Sequence, residues 1–198
     1  MAPEHHTPVF DNIINQNLLD GNNQFAFVFT DTPSIIFGEN DKNFYEEPIK
    51  WFPVTKKYYW QIAFSEISIN GRPMNFCGQN CEAAIDTGTS LITGPTDEII
   101  ALIRAVGNPD CSDISTMPTL TFKIGEFDFP LHPEDYIIQS KDKKKCRLGF
   151  MPLDVPPPKG PLWVFGELFV KKYYVAFDRV KDRVGFATAK KLSNPINS

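Results

Sequence analysis

Short apolar runs, cut by Pro, Gly, Asp and Thr, recur along the chain, and most of them read as β-strands. Phe25-Ala26-Phe27-Val28-Phe29 and Ile35-Ile36-Phe37 come first, and Ile49 to Val54 follows. Tyr58 to Ile69 is longer and carries apolar residues on both alternating faces, the pattern of a strand passing between two packed layers. Leu120, Phe122 and Ile124 alternate up to Gly125-Glu126, with Phe127 and Phe129 beyond, which predicts a hairpin. A second hairpin is expected where Tyr173 to Phe177 and Arg183 to Ala187 flank Asp178-Arg179-Val180-Lys181-Asp182. Helical spacing stands out once, at Ile99, Leu102, Ile103 and Val106. Thr96 is the expected N-cap there, Asp97 and Glu98 suit the first turn, and Gly107 ends the helix. A shorter helical turn is expected over Glu167 to Lys171. The prediction is a mainly β domain with a few short helices.

With 198 residues the chain fits one domain, or at most two small ones, with a sizeable core, and 17 Phe supply its interior. The 17 Pro argue for many short segments, and Pro156-Pro157-Pro158 reads as a rigid exposed loop. A net charge of −4 carries no signature of a nucleic-acid partner, and Lys141 to Lys145 reads as a solvated loop. No apolar run reaches the ~18 residues a membrane span needs. Residues 1–6 resemble the remnant of an expression tag, residues 7–191 the domain and 192–198 a tail, so neither His5 nor His6 is expected to ligate a metal. Cys77, Cys81, Cys111 and Cys146 lack paired Cys-x-x-Cys spacing, so disulfides and an oxidising compartment are expected rather than a zinc site.

The chemistry gathers in Ala83-Ala84-Ile85-Asp86-Thr87-Gly88-Thr89-Ser90-Leu91-Ile92-Thr93-Gly94-Pro95. An apolar run delivers Asp86 into a turn made by Thr87 and Gly88, with hydroxyl residues directly after. A carboxylate at the end of a buried strand must have its lone pairs met. The Gly88 N–H and the Thr89 hydroxyl are the nearest donors, and together they would fix the carboxylate in a partly desolvated site.

Ile85 to Leu91 with Thr93-Gly94-Pro95 is similar to the second active-site motif of the pepsin family of aspartic proteases, which includes cathepsin D and the plasmepsins. Pro8-Val9-Phe10-Asp11-Asn12 with Gln16 to Leu19, Tyr59-Trp60-Gln61-Ile62, and Leu162 to Glu167 with Phe169, Tyr173-Tyr174 and Phe177-Asp178 extend the likeness over residues 7–189. Two departures stand out. Phe165-Gly166-Glu167 replaces the usual Leu-Gly-Asp, and Gly38-Glu39 the usual Gly-Gly.

The resemblance implies a pepsin-like carboxy-terminal lobe, of double-psi β-barrel type with packed sheets. It implies peptide hydrolysis, without a cofactor or metal, by a water held between two aspartates, of which Asp86 is one. Thr87 would reach across to the other lobe, Gly88 and Thr89 would support Asp86, and Tyr59, Ala84, Leu153, Val155, Leu162 and Val164 would line the primed side of the substrate cleft. Cys77 would pair with Cys81, and Cys111 with Cys146. One Asp-Thr-Gly is present, so the expected partners are a peptide or protein substrate and a missing amino-terminal lobe of the same polypeptide. The separate chain is expected to be inactive and to associate weakly with itself. The expected location is the secretory pathway, outside the cell or in a lysosome-like vacuole. A non-catalytic peptide-binding or inhibitory domain of pepsin descent is the alternative, and a homodimeric protease of retroviral style a further one.

Overall fold

A computed structural model describes residues 7–29, 33–79 and 81–190, with Cys77 and Gln79 described by their backbone alone. The presumed tag, residues 1–6, and tail, residues 192–198, lie outside the described residues. In chain order the strands are β1 (Gln24–Val28), β2 (Ser34–Phe37), β3 (Tyr45–Pro53), β4 (Gln61–Phe64), β5 (Glu66–Ile69), β6 (Arg72–Pro73), β7 (Cys81–Ile85) and β8 (Ile92–Gly94). They continue with β9 (Leu120–Ile124), β10 (Phe127–Leu131), β11 (Ile137–Gln139), β12 (Cys146–Leu148), β13 (Phe150–Pro152), β14 (Trp163–Phe165), β15 (Tyr173–Asp178) and β16 (Arg183–Ala189). The α-helices are α1 (Val9–Asn15), α2 (Thr96–Val106), α3 (Pro133–Tyr136) and α4 (Glu167–Val170).

The strands form three main sheets and a small hairpin. An antiparallel sheet runs β2-β1-β15-β16-β3, a second runs β10-β9-β5-β6, and a third, mixed sheet runs β13-β8-β14-β7-β4. In the mixed sheet β14 pairs parallel with β7 and antiparallel with β8. Phenylalanines tie the three sheets together. Phe122 of the second sheet meets Phe165 of the mixed sheet at 5.0 Å between ring centroids, and Phe165 stacks on Phe169 of α4 at 4.7 Å. Phe169 then meets Phe186 of the first sheet at 5.5 Å. Rings of this kind bury ~150–250 Å² each, which gives these few side chains a large share of the core.

Both expected hairpins form. Ile124 pairs with Phe127 across Gly125-Glu126, and of those two only Gly125 has positive φ (58°), as a type II′ turn requires. At the other hairpin Asp178 is fully buried, and it accepts Arg183 Nε at 2.7 Å and the Val180 and Lys181 amides at 3.0 Å each. That set satisfies a charge that would otherwise be costly to bury.

Several expectations change. Tyr58 to Ile69 is not one strand. Tyr58 to Trp60 form a turn, and the chain leaves β4 at Ser65 to enter a different sheet as β5. Its apolar residues on both faces reflect this exchange of sheets rather than one sandwiched strand. Strand β3 starts at Tyr45, before the expected Ile49, and α1 was not foreseen, because none of its residues is buried enough to impose a period. Thr96 is the first residue of α2, not its cap. Pro95 occupies the cap position without a side-chain hydrogen bond, and Asp154 supplies the missing acceptor from a distant loop.

Candidate active site

Strand β7 alternates cleanly. Cys81, Ala83 and Ile85 enter the main core, whereas Glu82 and Ala84 turn to the opposite face. Asp86 follows at the strand end and is exposed, where a partly desolvated position was expected. The reason is local: the strand has just left the sheet, and only the following turn surrounds the carboxylate. The two foreseen donors are present. Gly88 N donates to Asp86 Oδ1 at 2.9 Å, and Thr89 Oγ1 to Oδ2 at 2.7 Å. Each oxygen thus has its own donor, which fixes the plane of the carboxylate and leaves its outer lone pairs open.

The backbone around Asp86 is braced from β14. Asp86 N donates to Phe165 O at 3.2 Å, and Glu167 N to Thr89 O at 2.7 Å. Between them sits Gly166. A Cβ there would lie 2.2 Å from the carbonyl oxygens of both Thr89 and Leu91, so the close approach of the two loops demands glycine. The glutamate at position 167 keeps its carboxylate out of this contact, pairing with Lys171 at 2.6 Å. Trp163 anchors β14 from behind, donating its indole N–H to Glu98 Oε2 of α2 at 2.8 Å.

The six expected pocket residues fall into two groups. Ala84 and Val164 are register neighbours on the face of the mixed sheet turned from the core, and they are 4% and 7% exposed. Leu162, just before β14, is buried, while Leu153 is 41% exposed. Val155 and Tyr59 are half-buried. The loop carrying Leu153 and Val155 meets the turn carrying Tyr59 through Lys159, whose Nζ lies 5.8 Å from the centre of the Tyr59 ring. Thr87 is half-buried beside Asp86.

Sequence reasoning passed over three neighbours on this side. Glu82 accepts the Thr55 hydroxyl and, at 2.9 Å, Gln61 Nε2, and Gln61 stands opposite Ala84 in the strand register. The alternation of β7 was the available signal for Glu82. No motif marks Thr55, and Gln61 stood within the Tyr59-Trp60-Gln61-Ile62 likeness without a role of its own.

Cys111 and Cys146 are joined as expected, fastening the β11–β12 hairpin to the loop after α2. The expected Cys77–Cys81 pair rests on a Cys77 side chain outside the described residues. Among the described residues no cluster of His, Cys, Asp and Glu has a metal-holding arrangement, and no helix is long and apolar enough to cross a membrane.

Comparison with known proteins gives a consistent result. The family profile of eukaryotic aspartyl proteases matches residues 1–189. Mouse cathepsin E is 41% identical over 92% of this chain and 50% of its own length. Human cathepsin D is 38% identical over 93% of this chain and 48% of its own. Cathepsin E-A of Xenopus laevis is 40% identical over 91% and 48%. The chain therefore spans about half the length of the curated relatives it matches. The chain thus belongs to the eukaryotic aspartyl protease family.

Proposed function

We propose that this chain is the carboxy-terminal lobe of an aspartic endopeptidase, with Asp86 as one of the two carboxyl groups that hold the hydrolytic water. The observation that carries this reading is the posture of Asp86. It stands exposed at the end of a buried strand, with each oxygen held by one local donor and the backbone braced from β14. In the reaction one ionised carboxylate takes a proton from the water as its oxygen attacks the peptide carbonyl. The second carboxyl, protonated, hydrogen-bonds the carbonyl oxygen. Two carboxyls in one site resist ionising together, and this like-charge repulsion separates their roles. Pepsin is the standard worked case of such a pair.

The second carboxyl belongs to the other lobe of the polypeptide. Its docking surface is the aromatic rim where half-buried Phe25 and Trp60 cover the core ring of Phe177, at 4.7 Å and 5.1 Å between centroids. Trp60 also accepts the Ile85 amide through its carbonyl at 2.9 Å, so this rim adjoins the aspartate loop. Thr87 reaches toward the other lobe, and Tyr59, Ala84, Leu153, Val155, Leu162 and Val164 line the primed side for a peptide or protein substrate. A disulfide between Cys111 and Cys146 fits the secretory pathway, with the enzyme secreted or held in a lysosome-like vacuole.

The test is reconstitution. The separate chain should cleave no peptide between about pH 3 and 7, because a lone carboxyl cannot serve as acid and base at once. Co-expression with the amino-terminal half should restore cleavage, and Asp86→Asn in the restored enzyme should abolish it. Full activity in that variant would remove Asp86 from the mechanism.

A further inference from the structure

On the face of the mixed sheet turned from the core, a second carboxylate stands two residues before Ala84. Glu82 is half-buried, and only one of its oxygens is used. Oε2 accepts both the Thr55 hydroxyl and Gln61 Nε2, while Oε1 receives no donor from the described residues. Beside it, Gln61 is 1% exposed, and its own Oε1 is buried without a hydrogen-bond partner. Gln61 pairs with Ala84 across the strands, and the free Glu82 oxygen belongs to the same sheet face. The free oxygen of this half-buried carboxylate can still take a charge-assisted hydrogen bond from an incoming donor.

The neighbouring cations do not bring one. Lys57 is committed to Asp182 at 2.5 Å, and Lys56 meets Gln61 only through a backbone bridge. Among the described residues, no ion pair includes Glu82. Glu82 is also held in place rather than loose, because Thr55 lies at the base of the turn that carries Tyr59 and Gln61 lies in β4. A fixed carboxylate with one free oxygen is a recognition site for a group that carries N–H donors and a positive charge.

We propose that Glu82, oriented by Thr55 and Gln61, is a specificity-determining carboxylate that selects a lysine or arginine side chain on the primed side of the bound peptide. The proposal rests on the reading of Ala84 and Tyr59 as cleft residues. Its spacing suits that role. Two residues along a strand span about 6.6–6.8 Å, the same distance that separates successive same-side residues of an extended peptide. A side chain one such step beyond the Ala84 pocket thus meets Glu82. The ammonium or guanidinium donates to Glu82 Oε1.

The test is an NMR titration of the 198-residue chain with two blocked tetrapeptides that differ only in lysine against norleucine. The lysine peptide is expected to bind roughly three- to ten-fold more tightly, as a partly screened, charge-assisted contact allows. It should shift the Ala84 and Tyr59 amides together with the Gln61 side-chain amide. Glu82→Gln keeps acceptors for Thr55 and Gln61 but removes the charge, so in that variant the lysine peptide should bind no more tightly than the norleucine one. Raised salt should shrink the lysine advantage in the unmodified chain, a readout independent of the variant's folding. Equal binding of both peptides at Ala84 and Tyr59 would overturn the role of Glu82 and leave the cleft reading standing. A lysine preference that survives Glu82→Gln would also overturn it. If neither peptide perturbs Ala84 or Tyr59, the cleft reading fails and this proposal fails with it.

Discussion

Asp154 caps a helix that begins 58 residues before it: its Oδ1 accepts the Thr96 amide at 2.9 Å and its Oδ2 the Thr96 hydroxyl at 2.7 Å. The cap ties the start of α2 to the loop that carries Leu153 and Val155, so one carboxylate serves both. Hydrogen bonds from the Thr96 amide first, and then from its hydroxyl, hold the Asp154 carboxyl below the usual carboxylate range. A depressed folded value means that the contribution is fully present above the unfolded value near pH 3.9 and is lost as pH falls through the lower, folded one. Asp154→Ala should therefore lower the urea midpoint at neutral pH. The gap between variant and parent should narrow as the pH is taken below about 4. A gap that stays constant into strong acid would contradict the cap.

The bridge between Cys111 and Cys146 closes a sequence separation of 35 residues. The chain-entropy account assigns such a loop ~4 kcal/mol. Replacing both cysteines with serine should reduce the unfolding free energy by that order, read from denaturant curves under non-reducing conditions. Loss of less than about 1 kcal/mol would show that the unfolded chain is already constrained there.

Gly166→Ala tests the crossing of the two loops. The added methyl carbon meets backbone carbonyls of Thr89 and Leu91, not flexible side-chain ends, so neither can swing aside. Destabilisation should reach at least the ~1–3 kcal/mol of an overpacked core. Amide shifts should concentrate at Asp86 to Leu91. A neutral outcome would mean that the loops separate more easily than their hydrogen bonds suggest.

Exposed apolar groups cluster beside the aromatic rim: Ile35 is 52% exposed and Phe37 46%, both on the edge strand β2. Unpaired edge groups beside apolar side chains favour association. Sedimentation at rising concentration should report a weak dimer or larger species, and an ideal monomer throughout would reject this. Adding the amino-terminal half should suppress the effect.

The parts of this molecule that can be read from the sequence are those whose cause is local. The β9–β10 hairpin announces itself through alternation and Gly125, and the helix at Thr96 through the period of Ile99, Leu102 and Val106. Asp86 is legible because its two donors, Gly88 and Thr89, follow it directly. Asp154 as a cap is not legible, because Thr96 is an equally good cap on paper and only the fold brings the better acceptor to it. The break at Ser65 is hidden for the same kind of reason, since leaving one sheet for another depends on what β7 and β9 offer to either side. Glu82 reads as an ordinary strand residue until the register sets Gln61 beside it.

The brace on Asp86 also sets a timetable. Its backbone support comes from Phe165 and Glu167, which lie far downstream in the chain. While the protein is being made, the aspartate emerges from the ribosome long before β14 does, and nothing yet holds its loop. Strand pairings between such distant segments are slow to form. The candidate catalytic loop therefore acquires its shape only once β14 has been made. Any nascent chain that stalls before Trp163 carries the Asp-Thr-Gly motif without the geometry that gives it meaning.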